Sequence, residues 1–111
     1  MYELSRNRYK ELKHFCLQYP EMKRELEKLE GSLYLDVFDP TGDIAVRATE
    51  YRKAMNLIET TAFNIGNFSG EKILKIVSEN RCIGEVCPSD KETAKYYIRK
   101  FFWMLSEAKG L

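Results

Sequence analysis

Residues 44–65, IAVRATEYRKAMNLIETTAFNI, decide the fold class. Ile44, Ala48, Tyr51, Met55, Ile58, Ala62 and Ile65 recur at alternating intervals of four and three. A helix completes a turn every ~3.6 residues, so this spacing draws one apolar seam along one face. Arg47, Glu50, Arg52, Lys53 and Glu59 fall between the seam positions and form a solvated face. A narrow seam sustained over three heptads is the pattern of helices that pair side by side. Its partner is either another helix of the same chain, in an antiparallel hairpin, or a second subunit. We take Ile44, Ala48, Tyr51, Met55, Ile58 and Ala62, together with Trp103, as the candidate oligomer interface of a homodimer.

Upstream, Asp39-Pro40-Thr41-Gly42 supplies a helix start, with Asp39 as N-cap and Pro40 at the first helical position. A phosphate-binding loop would need more glycine and a following Lys. Residues 31–39 hold the apolar group Leu33, Tyr34, Leu35, Val37 and Phe38 and read as a loop, because a lone strand has no partner. Before it, Glu3 to Gln18 and Pro20 to Glu30 read as helical, with Gly31 as the C′ residue. Tyr9, Leu12, Cys16 and Tyr19 make one stripe, and Met22, Leu26, Leu29 and Leu33 continue it. The two segments are therefore predicted to form one helix kinked at Pro20.

Downstream, Gly66-Asn67-Phe68-Ser69-Gly70 breaks the chain. A helix over Glu71–Glu79 follows, with Ile73, Leu74 and Val77 inward, then a short turn over Arg81–Val86. The last helix opens at Ser89, which stands three residues before Glu92 in capping-box spacing, with Pro88 just outside. On it, Ala94, Ile98, Phe101 and Leu105 share one face and should point to the core. The fold is predicted to be all-α, with a helical hairpin over residues 1–66 and a helix-turn-helix over residues 67–111.

A length of 111 residues suits one modest core, and 44% hydrophobic with 32% charged residues is the mix of a folded chain. No apolar run approaches the ~20 residues a membrane span needs. The N-terminus lacks an apolar h-region, which predicts a cytoplasmic protein. Cys16, Cys82 and Cys87 are then free thiols. No Cys-x-x-Cys pair occurs, and His14 and Cys16, two apart, point to different helix faces, so neither metal nor cofactor is expected. The single histidine lies in a basic helix and no catalytic triad presents itself, so no enzymatic activity is expected.

Net charge is only +1, but it is unevenly placed. Arg6, Arg8, Lys10 and Lys13 outnumber Glu3 and Glu11 at one end. Lys91, Lys95, Arg99, Lys100 and Lys109 outnumber Asp90, Glu92 and Glu107 at the other. Asp36, Asp39, Asp43 and Glu50 make the middle acidic against Arg47. Local patches, more than total charge, form an electrostatic footprint. The last helix starts sharply and carries Lys91, Lys95, Arg99 and Lys100 among aromatics, as a DNA recognition helix does. Ser89, Lys91, Thr93, Lys95, Tyr96, Arg99 and Lys100 are the candidate contacts to double-stranded DNA. Arg6, Arg8, Lys10 and Lys13 would add phosphate contacts if the first helix lies alongside. Trp103, Phe101, Phe102 and Met104 make the end of that helix apolar nearly all round, so it should bury more than one face.

Phe15-Cys16-Leu17-Gln18-Tyr19-Pro20-Glu21, Asp39-Pro40-Thr41-Gly42, Leu57-Ile58-Glu59-Thr60-Thr61-Ala62 and Arg99-Lys100-Phe101-Phe102-Trp103-Met104-Leu105 together resemble the ArpU/RinA-type transcriptional regulators of phages and prophages. The resemblance implies a small helical DNA-binding protein controlling late or packaging genes in a bacterial host. It also implies a C-terminal helix-turn-helix similar to sigma-factor region 4, with Thr93 through Leu105 in the recognition helix. Two other readings fit the same residues. One is a small-terminase-like packaging protein. The other is a module that binds RNA polymerase or a sigma factor through the acidic segment and the aromatic end of the last helix.

Overall fold

The computed structural model describes residues 2–34 and 42–110. These form six helices and no strand: α1 Arg6–Leu17, α2 Tyr19–Tyr34, α3 Asp43–Phe63, α4 Gly70–Glu79, α5 Ile83–Val86 and α6 Lys91–Ala108. The chain is all-α over the described residues.

Ser5 starts α1: its backbone is extended and its hydroxyl accepts the Arg8 N–H at 3.2 Å. The helix is interrupted at Gln18, two residues before Pro20, and the Gln18 carbonyl accepts the Met22 N–H at 2.9 Å. Pro20 then falls in the first turn of α2, where its missing N–H leaves no gap. The interruption expected at Pro20 thus falls at Gln18, where the chain divides into α1 and α2. α2 also runs through Gly31, which is interior and not a C′ residue. An interior glycine costs ~1 kcal/mol relative to alanine, and packing of α2 along α3 outweighs that. α3 begins after Gly42, whose φ of 73° places it in the left-handed region. The expected cap at Asp39 and Pro40, and most of the loop before it, lie outside the described residues.

Tyr19 Oη donates to Glu59, and Arg52 reaches Glu30 at 2.7 Å, so α2 and α3 run in opposite directions. The Arg52–Glu30 pair is about half exposed and contributes little. The apolar seam holds the two helices together. Ala48, Met55, Ile58, Ala62 and Ile65 are buried within this one chain, and Ile44 and Tyr51 are half-buried. The residues expected at an oligomer interface are therefore largely interior. The seam needed a partner, and α2 supplies it in cis.

Between α3 and α4 the chain folds back over a few residues. Gly66 has φ 116°, open only to glycine at low cost, and its carbonyl accepts the Phe68 N–H at 2.8 Å. Ser69 caps α4 by accepting the Lys72 N–H at 3.3 Å. Gly70 is buried at the crossing: a Cβ there would lie 2.8 Å from Phe63 Cα and 2.9 Å from the Ala62 carbonyl. Any side chain would push the two helices apart. Asn80, left-handed at φ 53°, ends α4, and α5 is a single turn.

The capping box expected at Ser89 does not form. α6 begins after Asp90 with no side-chain cap bond, and the Glu92 carboxylate meets Lys95 Nζ at 3.3 Å. Ser69→Ala should accordingly cost about 1 kcal/mol of stability, while Ser89→Ala stays within about 0.5 kcal/mol. Urea denaturation of the two variants checks this, and equal losses would refute the assignment of caps.

One core joins both halves of the chain. Leu12, Cys16, Met22, Ile58 and Ile65 pack with Ile73, Val77, Ala94, Phe101 and Leu105. α1 lies on α4 and α6, and the end of α3 lies on the same pair. Residues on both sides of position 66 thus share this core. Burial also pushes the Cys16 thiol up to about 12, so it stays protonated and inert. The molecule extends 51 × 28 × 21 Å with a radius of gyration of 16.0 Å. A compact domain of this length would have ~13 Å.

Candidate nucleic-acid interface

The ring of Tyr9 on α1 meets that of Phe102 on α6 edge-on, with centroids 5.0 Å apart. This contact sets the basic start of the chain beside the last helix. A groove of about 790 Å³ runs between them, floored by Tyr9, Ile98 and Phe102 and rimmed by Arg6, Lys95 and Arg99. A smaller hollow of about 250 Å³ shares that floor and adds Lys13 and Arg81. Five cations from three distant stretches of sequence thus line one continuous surface. Glu3 is the one carboxylate lining it among the described residues.

The cations are only lightly engaged. Lys95 pairs with Glu92 at 3.3 Å and Arg81 with Glu79 at 3.7 Å, both exposed pairs within one local segment. Such pairs are worth ~0–1 kcal/mol and give way to a stronger anion. Arg6, Lys13 and Arg99 make no ion pair among the described residues. Cations held over an apolar floor focus a positive field along the groove.

The remaining expected contacts are scattered. Ser89, Lys91 and Thr93 are exposed at the start of α6 but outside the groove, and the Lys91 side chain passes over Gly84. Gly84 therefore makes room for one flexible side chain. Lys100 turns toward the α3–α4 turn and lies 5.9 Å from the Tyr97 ring centre. Arg8 is half-buried and sits 3.9 Å from Glu11, and Lys10 is exposed away from the groove. Tyr96 is 46% exposed, yet Tyr2 packs edge-on against it at 5.8 Å. A hydrogen bond to Tyr2 raises the Tyr96 hydroxyl above its ordinary range. Trp103, expected at an oligomer interface, is half-buried with Tyr2 5.3 Å away in the same chain.

Sequence reasoning missed Arg81 and Tyr9. Arg81 follows the left-handed Asn80, and that turn throws it into the groove beside Lys13. No linear pattern pairs residues 13 and 81. Tyr9 was legible as an apolar stripe position but not as groove floor. Among the described residues, no three His, Cys, Asp or Glu side chains are grouped to hold a metal ion. No helix among them is long and apolar enough to cross a membrane. No family model, no curated protein and no solved structure matches the chain.

Proposed function

We propose that this chain binds duplex DNA through the groove between α1 and α6 and acts as a transcriptional regulator. The observation that carries the binding reading is the convergence of Arg6, Lys13, Arg81, Lys95 and Arg99 on one surface. A polyanion is the ligand that rewards such a convergence, and a duplex backbone presents one charge per ~1.7 Å. In this reading α4, α5 and α6 act as a helix-turn-helix on an N-terminal helical scaffold. The first turns of α6 enter the major groove, with Lys91 and Thr93 exposed at their start. Lys95 and Arg99 face base edges, while Arg6, Lys13 and Arg81 hold phosphates. The regulatory role and the phage setting rest on the sequence resemblance.

Salt dependence tests the mechanism. With Arg6, Lys13 and Arg81 neutralising phosphates, log affinity should fall against log salt with a slope of about −3. Fluorescence anisotropy on a labelled 20-base-pair duplex measures it. A slope near zero, or no binding at low salt, would exclude the groove as a DNA site.

A further inference from the structure

The groove proposed for DNA is not open along its whole length. Residues 2–4 lie across one edge of it, and Tyr2, Glu3 and Leu4 share its lining with Arg6, Lys95 and Arg99. Two aromatic contacts on the outer side of α6 anchor this short segment. The Tyr2 ring packs against Tyr96 at 5.8 Å and 68°, and against Trp103 at 5.3 Å and 58°. These bring Glu3 into the lining of the groove, which Arg6, Lys95 and Arg99 share.

The anchor is built to let go. Tyr2 has φ 57°, a left-handed backbone that a residue with a Cβ adopts only at a cost. Tyr2 is half-buried and Tyr96 remains 46% exposed, so the contact excludes water only in part. Leu4 packs against the core and α1 is fixed by Leu12 and Cys16, so Tyr2 and Glu3 can lift while the fold behind them stays anchored.

We propose that Tyr2 and Glu3 form a self-inhibitory strap hinged at Leu4: Tyr2 docks on Tyr96 and Trp103 and holds Glu3 in the groove that DNA must occupy. The strap regulates the same groove and so rests on the DNA-binding reading. Duplex DNA and the strap then exclude one another. Lifting the strap exposes Tyr96 and Trp103 and takes the negative charge of Glu3 out of the groove.

Trp103 is the chain's one tryptophan, so its fluorescence reports the strap without any ligand. In the full chain, Tyr2→Ala should make Trp103 more accessible to acrylamide quenching, and adding duplex DNA to the unaltered protein should do the same. Tyr2→Ala and Glu3→Gln should each tighten duplex affinity by roughly two- to tenfold, the range one aromatic contact or one exposed charge supplies. Glu11→Gln makes the same charge change on α1 outside the groove and should leave affinity within about twofold. Unchanged or weaker affinity for Tyr2→Ala overturns the strap, as does an equal gain from Glu11→Gln. If no form of the protein binds the duplex, the DNA reading fails and the strap's inhibitory role fails with it. Strap failure alone shows as normal DNA binding with Trp103 quenching unmoved by Tyr2→Ala.

Discussion

Replacing Lys95 and Arg99 together by alanine is expected to lower duplex affinity by roughly two orders of magnitude, below detection in a gel shift. A well-formed contact from Lys or Arg to a base edge is worth ~1–3 kcal/mol, and each 1.4 kcal/mol is about tenfold. Both side chains are exposed on α6, and the only ion pair either makes among the described residues is the local Lys95–Glu92 contact. Stability should therefore change by no more than about 0.5 kcal/mol, which circular dichroism on heating would verify. The salt slope should change little at the same time, because Arg6, Lys13 and Arg81, which hold the phosphates, remain. Loss of affinity with an unfolded protein would not count. Full affinity in a folded one removes α6 as the reading element.

The second large effect concerns the wall on which the site is built. Phe101 is fully buried, while the neighbouring face of α6 carries Lys95 and Arg99. Phe101→Ala removes the ring from the point where α1, α3 and α4 meet α6, and should destabilise the protein by about 3–5 kcal/mol. Against a total of ~5–15 kcal/mol for a domain of ordinary stability, that is a large share. Val46 offers the comparison: it is 55% exposed on α3, and Val46→Ala should cost no more than about 0.5 kcal/mol. Urea midpoints for the two variants decide the matter. Similar shifts in both would mean that Phe101 is not at the centre of the core.

Much of this was legible before any coordinates. The alternating spacing from Ala48 to Ile65 picked out a buried face, and Ala94, Ile98, Phe101 and Leu105 were all read as inward and are all buried. Helical periodicity is a local property, so it survives folding unchanged. What an apolar seam cannot specify is whose surface covers it. Met55 and Ile58 would look the same against a second subunit as against α2, and here the cover is intramolecular. Caps were harder to read, because Ser69 and Ser89 both stand just before a helix. Ser69 supplies the hydroxyl that α4 uses, whereas at α6 the chain passes through Asp90 before the first helical residue. The groove was half legible. Its α6 side followed from the basic outer face, and Arg6 and Lys13 were named on the condition that α1 lay nearby. That placement comes from Tyr9 on Phe102 and from the core around Leu12, long-range packing that no spacing rule encodes.

The shape of the molecule also affects how its assembly must be measured. At 51 Å long and 28 Å across, a single chain tumbles and diffuses like a heavier sphere. On a sizing column it will elute ahead of its 13.1 kDa mass and imitate a pair. With the α3 seam already filled from within, scattering or sedimentation equilibrium, which weigh particles irrespective of outline, are the measurements that count subunits here.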